Sequence, residues 1–235
     1  MSVAGKLVVI AGATSASGLA AARELRRAGA RVVAVGRDPA KLRRLVEESG
    51  TDAAAPGAGR TGSVRTDVCD LTSEAEVAGF AGRVHETDGP VDGILHLVGG
   101  WRGGGGLAGQ TDADFRFLER SLTALRHVSR AFDADLRASE AGRLAVVSST
   151  AVARPLAGGA NYAAVKAATE AWARAVAQGF SKDARDAGVP PAAASVIFRV
   201  KSLAGLEDTL ARRFVDLWTA DAADINDTIV DLSGS

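Results

Sequence analysis

The 235-residue chain has a single cysteine, three scattered histidines, no net charge and no apolar run long enough to cross a bilayer. Each shortage excludes something. One thiol, Cys69, rules out an internal disulfide and fits a reducing compartment. His85, His96 and His127 show no metal-ligand spacing, so no metal site is expected. Lysine and arginine total 28, balanced by 28 acids, with no basic stripe, which argues against nucleic acid as a partner. Residues Met1 to Lys6 lead into the short apolar segment Leu7 to Ala11. That segment is too brief for a signal-peptide core or a membrane span, and a cytoplasmic protein is the expectation.

What is present is a core. Apolar residues make up 47% of the chain, enough for one large α/β domain over residues 1–235. Short β-branched runs alternate with longer Ala/Leu/Arg-rich stretches, the pattern of βαβ units. Strands are predicted at roughly 6–11, 31–36, 63–67, 91–98, 143–149, 193–199 and 228–232. Helices are predicted at roughly 17–29, 39–49, 73–87, 112–138, 160–182 and 207–219. Right-handed crossovers give a single Rossmann-type, doubly wound parallel sheet of about seven strands, ordered 3-2-1-4-5-6-7, with helices on both faces. Irregular segments are expected at roughly 50–62, across the glycine-rich stretch Gly99 to Gly109, and at roughly 183–191 before Pro190-Pro191.

Motifs cluster at the carboxyl ends of these strands. After the first comes Gly12-Ala13-Thr14-Ser15-Ala16-Ser17-Gly18, opening a helix. Such a turn brings backbone N–H groups close to a pyrophosphate, and Gly12, Thr14, Ser15, Ser17 and Gly18 are its candidates for holding one. The second strand ends at Gly36-Arg37-Asp38. Arg37 suits the 2′-phosphate of NADP, while Asp38 precedes Pro39 and reads as a helix N-cap, so NADP(H) is favoured over NAD(H). Asp67-Val68 and Val98-Gly99 end the third and fourth strands and extend the dinucleotide edge.

Ser149 ends the fifth strand, and Tyr162 and Lys166 share one face of the helix that follows. A neighbouring ammonium favours the phenolate, lowering the tyrosine pKa and making it an acid/base, while a strand-end serine can hydrogen-bond a substrate oxygen.

In their order and spacing, the Gly12…Gly18 turn, Asp67-Val68, Ser149 and Tyr162-x-x-x-Lys166 resemble the short-chain dehydrogenase/reductase family. That resemblance implies that Tyr162 transfers the substrate proton and that Lys166 binds the nicotinamide ribose and tunes Tyr162. Ser149 then orients the carbonyl, and a homodimer or homotetramer is implied. More weakly, Val98-Gly99-Gly100-Trp101 and Val189-Pro190-Pro191-Ala192-Ala193-Ala194 resemble the dihydropteridine reductase branch, which reduces a quinonoid pterin. That branch generally prefers NADH and lacks the serine, whereas this chain has Arg37 and Ser149.

The chain departs from the family pattern at Ala16, His96 and Ser121, and at Phe198 to Ser202. Ser121 stands where many members place an asparagine supporting a proton-relay water. The substrate-loop region after the sixth strand is short, which predicts a small or open pocket. Trp101 and Arg102 are candidates to stack on or pair with a flat substrate. The expected activity is NADPH-dependent reduction of a small carbonyl, imine or pterin-like compound. Its rivals are a redox-neutral isomerase or epimerase and a non-catalytic dinucleotide sensor.

Overall fold

A computed structural model describes residues 1–50 and 62–232. Seven strands form one parallel sheet: β1 (Leu7–Ala11), β2 (Arg31–Gly36), β3 (Ser63–Val68), β4 (Gly93–His96), β5 (Arg143–Ser149), β6 (Ala194–Val200) and β7 (Thr228–Asp231). Their order, β3-β2-β1-β4-β5-β6-β7, is the doubly wound order expected from the sequence. Strand order reverses between β1 and β4, which pair in parallel from Val8↔Gly93 to Ala11↔His96.

β1 is buried at every position because helices cover both faces. Its alternate residues feed two cores. Val8 and Ile10 face α1 (Ala16–Arg27) and α7 (Glu207–Asp216), packing with Leu25, Phe214 and Trp218. Leu7, Val9 and Ala11 face α3 (Glu74–Thr87), α4 (Asp112–Ala131) and α6 (Ala160–Ala187), packing with Phe80, Val128 and Phe180. Among the described residues, no helix is long and apolar enough to cross a membrane.

Asp38 caps α2 (Pro39–Glu48), accepting hydrogen bonds from the N–H groups of Ala40 (2.9 Å) and Lys41 (3.1 Å), as its position before Pro39 predicts. Elsewhere the boundaries shift: β4 spans only Gly93–His96 where 91–98 was predicted, and α7 ends at Asp216 rather than near 219. The helix predicted over 112–138 breaks at Phe132 (φ −114°, ψ 13°) and resumes as α5 (Asp133–Ala138). Burial of Phe132 against Phe80, ring centroids 5.8 Å apart and edge-on, goes with the kink. The helix expected to end near 182 continues to Ala187, where Gly188 (φ 67°) closes it with a left-handed cap and Val189 donates back to the Ala184 carbonyl. A short α8 (Ala222–Ile225) precedes β7 and has no counterpart in the sequence reading. Residues 51–61 of the predicted loop lie outside the described residues.

Candidate active site

The cleft runs along the carboxyl ends of β1, β4 and β5. At the nucleotide end, Ser15 caps α1 by accepting from Gly18 N–H at 3.1 Å. Gly12 has φ 85°, and a Cβ there would sit 2.8 Å from the Val98 nitrogen. A Cβ on Gly18 would lie 2.0 Å from the Ala13 carbonyl oxygen, so side chains are excluded at both ends of the turn. The first turn of α1 carries no acidic residue, whereas those of α3 and α4 carry two each. An uncompensated helix N-terminus suits a bound anion. Backbone turn, helix end and adjoining pocket together fit a dinucleotide.

That pocket, about 230 Å³, is lined by Gly12, Thr14, Ser15, Gly36, Arg37, Val98 and Gly99. Asp67 and Val68, expected here, are not part of its wall. Asp67 instead pairs with Arg83 at 2.7 Å and Arg65 at 3.5 Å, and Val68 is exposed. The wall is completed three residues further on, by Cys69, Asp70, Leu71 and Thr72. The Asp70 carboxyl accepts from the backbone N–H of Thr72 at 3.0 Å and from its hydroxyl at 2.7 Å, and it lies 3.5 Å from Arg120. The hydrogen bond from the Thr72 backbone is the main cause holding its pKa below the usual carboxylate value. An acid followed by an apolar residue occurs at both 67–68 and 70–71, and only the second reaches the cleft.

At the other end, a cleft of about 1090 Å³ is lined by Ser15, Ser17, Val98, Gly99, Ser149, Tyr162 and Lys166. It is wide and open to solvent, the open alternative of the small or open pocket that the short loop predicts. Ser149 neighbours the Tyr162 phenol, and its hydroxyl accepts a hydrogen bond from Ala151 N–H at 3.2 Å. Lys166 is buried, donates to the Val147 carbonyl at 2.8 Å, and has its ammonium 5.8 Å from the Tyr162 ring centroid. Burial pushes its pKa down to about 8, against the opposing attraction of Glu170.

The phenol behaves differently from the sequence expectation. Burial raises the Tyr162 pKa, and the neighbouring Ser149 hydroxyl only partly offsets that. Tyr162 is therefore a protonated donor at neutral pH.

His96 is fully enclosed. Its Nε2–H donates to the Ser121 carbonyl at 3.0 Å, and its Nδ1 has no partner among the described residues. This tautomer follows from the partner, since a carbonyl can only accept. Burial, with Lys166 adding repulsion, lowers its pKa to about 3 and keeps the ring neutral. The Ser121 hydroxyl donates to the Leu118 carbonyl at 2.8 Å, so both polar groups of Ser121 are engaged inside the fold.

A part-buried ion pair behind the cleft was not foreseen. Arg199 donates twice to Glu170, at 2.8 and 2.7 Å, and the Ser148 hydroxyl donates to the same carboxylate at 2.7 Å. Although burial opposes it, these partners hold the Glu170 pKa below the usual value. Glu170 lies one helical step beyond Lys166, so the 162/166/170 spacing on α6 is the signal that would have found it.

Comparison with known proteins agrees with this architecture. A family model described as short chain dehydrogenase matches residues 6–189, and the chain belongs to that family. An uncharacterized oxidoreductase of Bacillus subtilis, YvrD, is 30% identical over 175 residues, 74% of this chain but only 62% of the relative's length. A metagenomic short-chain oxidoreductase solved with NADP is 26% identical with a TM-score of 0.78, covering 98% of this chain and 99% of that one. An NAD+-bound xylitol dehydrogenase, 17% identical with a TM-score of 0.81 and 99% coverage of both chains, shares the fold.

Proposed function

We propose that this protein is an NADPH-dependent reductase of a small carbonyl, imine or pterin-like compound. The observation that carries the reading is the convergence of Ser149, Tyr162 and Lys166 on one cleft, with Lys166 anchored on the Val147 carbonyl. The nicotinamide cofactor would supply the hydride. Gly12, Thr14, Ser15, Ser17 and Gly18 would hold its diphosphate, Val98 and Gly99 would flank it, and Lys166 would reach its ribose. Arg37, on the pocket wall beyond Gly36, would meet a 2′-phosphate.

Proton delivery is then assigned to this chain's own groups. Tyr162, held protonated by burial, donates its hydroxyl proton to the substrate oxygen or nitrogen. Lys166, charged below about pH 8, stabilises the phenolate left behind. Ser149 holds the acceptor atom within reach of that proton. NADPH and NADH are titrated against the purified protein by fluorescence, followed by NADPH consumption with a panel of ketones, imines and quinonoid pterins. Tight NADPH binding with weak NADH binding and steady consumption is the expected result. Binding of neither dinucleotide overturns the reading. The same reading carries a homodimer or homotetramer in the cytoplasm, which light scattering and fractionation check.

A further inference from the structure

We infer that the substrate is an anion: a flat carbonyl compound carrying a carboxylate or similar charge, seated between Trp101 and Arg154. The inference rests on the reductase reading above and narrows it.

Charge in the cleft is one-sided. The chain has 28 acids, yet no aspartate or glutamate is among the described residues that line the catalytic cleft, whereas Arg154 and Lys166 do. A bound dinucleotide accounts for this near Ser15 to Ser17, where its diphosphate would lie. It does not account for Arg154, which stands on the segment between Ser149 and Tyr162, at the substrate side of the cleft. Arg154 is exposed and has no carboxylate partner among the described residues, a state it shares with several surface arginines, but among the described arginines it alone lines this cleft. A guanidinium with free donors beside a cleft lacking acids is suited to a planar carboxylate.

The apolar half of the site is at hand. Trp101 lines the same cleft and is 61% exposed. Its loop is pinned to the Arg154 segment by Gly104 N–H donating to the Gly158 carbonyl at 2.7 Å, and by Gln110 donating to the same carbonyl at 3.1 Å. Indole and guanidinium are thus presented by two tied segments. Arg102, the other candidate from the sequence, is engaged elsewhere. Its guanidinium lies 4.0 Å over the Phe117 ring and donates to the Trp101 carbonyl at 2.9 Å. It does not line the cleft, and Arg154 takes the role suggested for it.

Phenylglyoxylate and its methyl ester share the ring and the ketone and differ in charge, so they make the test. Binding of each is measured by calorimetry with and without NADP+, and turnover by NADPH oxidation. The acid is expected to bind at least about tenfold more tightly than the ester. R154Q should remove that preference and leave the ester unchanged, R154K should keep part of it, and R102Q should match the parent protein. Equal affinity for acid and ester, binding of neither, or equal losses for both in R154Q would overturn the inference. Charge-selective, Arg154-dependent binding without turnover would sustain it while sinking the reductase reading. Turnover without charge selection would do the reverse.

Discussion

The two ends of the cleft are built from different materials. At the nucleotide end the working parts are backbone: a turn whose glycines admit no Cβ, and a helix N-terminus free of acids. At the catalytic end they are side chains, with Lys166 held on the Val147 carbonyl and Glu170 clamped by Arg199 and Ser148 behind it. The first design fails by steric intrusion, whereas the second fails when one charge or hydroxyl is removed. Each failure has its own signature.

The largest expected effect is on chemistry alone. Replacing Tyr162 with Phe should lower kcat by about 10²–10⁴-fold, the usual range for a general acid, with NADPH affinity within about twofold. Stopped-flow turnover beside a fluorescence titration checks both halves. An equal fall in affinity would erase the distinction between the ends. Next is Gly18→Ala, whose Cβ must displace the Ala13 carbonyl. A cost of about 1–3 kcal/mol in denaturant melts is expected, with dinucleotide affinity falling at least tenfold. If affinity held while stability fell, the turn would be scaffold only.

Glu170→Gln should destabilise by about 2–3 kcal/mol, less than for a fully enclosed pair because Arg199 reaches solvent in part. A thermal melt reads this directly, and an unchanged melting temperature would show the clamp contributes little.

The smallest effect is a pH limb. Lys166 loses its charge as pH rises through about 8, so kcat/KM for reduction should fall above that value, by up to about tenfold per unit. Its stability contribution runs the other way. Between about 8 and the ordinary lysine value of 10.5 the unfolded chain binds more protons, so folding gains as pH rises. In Lys166→Arg the activity limb should disappear. Tyr162 is the chain's only tyrosine, so ultraviolet titration isolates it, and its midpoint should lie above 10.

Legibility in the sequence followed the same division. Gly12, Gly18 and the Asp38 cap were readable because short-range backbone rules tie residue type to conformation. The family order of Ser149, Tyr162 and Lys166 was readable because two of the three share a helical turn. The sequence pointed to Asp67 while Asp70 lines the pocket, because a strand's end is uncertain by a residue or two and an acid-apolar pair occurs on each side of it. The break at Phe132 was hidden, since apolar periodicity runs straight through it. Arg199 meets Glu170 across 29 positions of chain, and no local pattern announces a partner at that distance. The raised Tyr162 pKa depends on burial, which a four-residue spacing does not encode.

Cys69 turns the nucleotide edge into its own reporter. Cys69 forms part of the pocket wall beside Asp70, is 1% exposed, and its thiol is pushed by burial to a pKa of about 11. At neutral pH it is a thiol sealed from solvent, and a disulfide reagent reaches it only when that corner of the sheet momentarily opens. The rate of thiol labelling therefore counts those openings, and a dinucleotide that holds the corner shut should slow it in proportion to its occupancy.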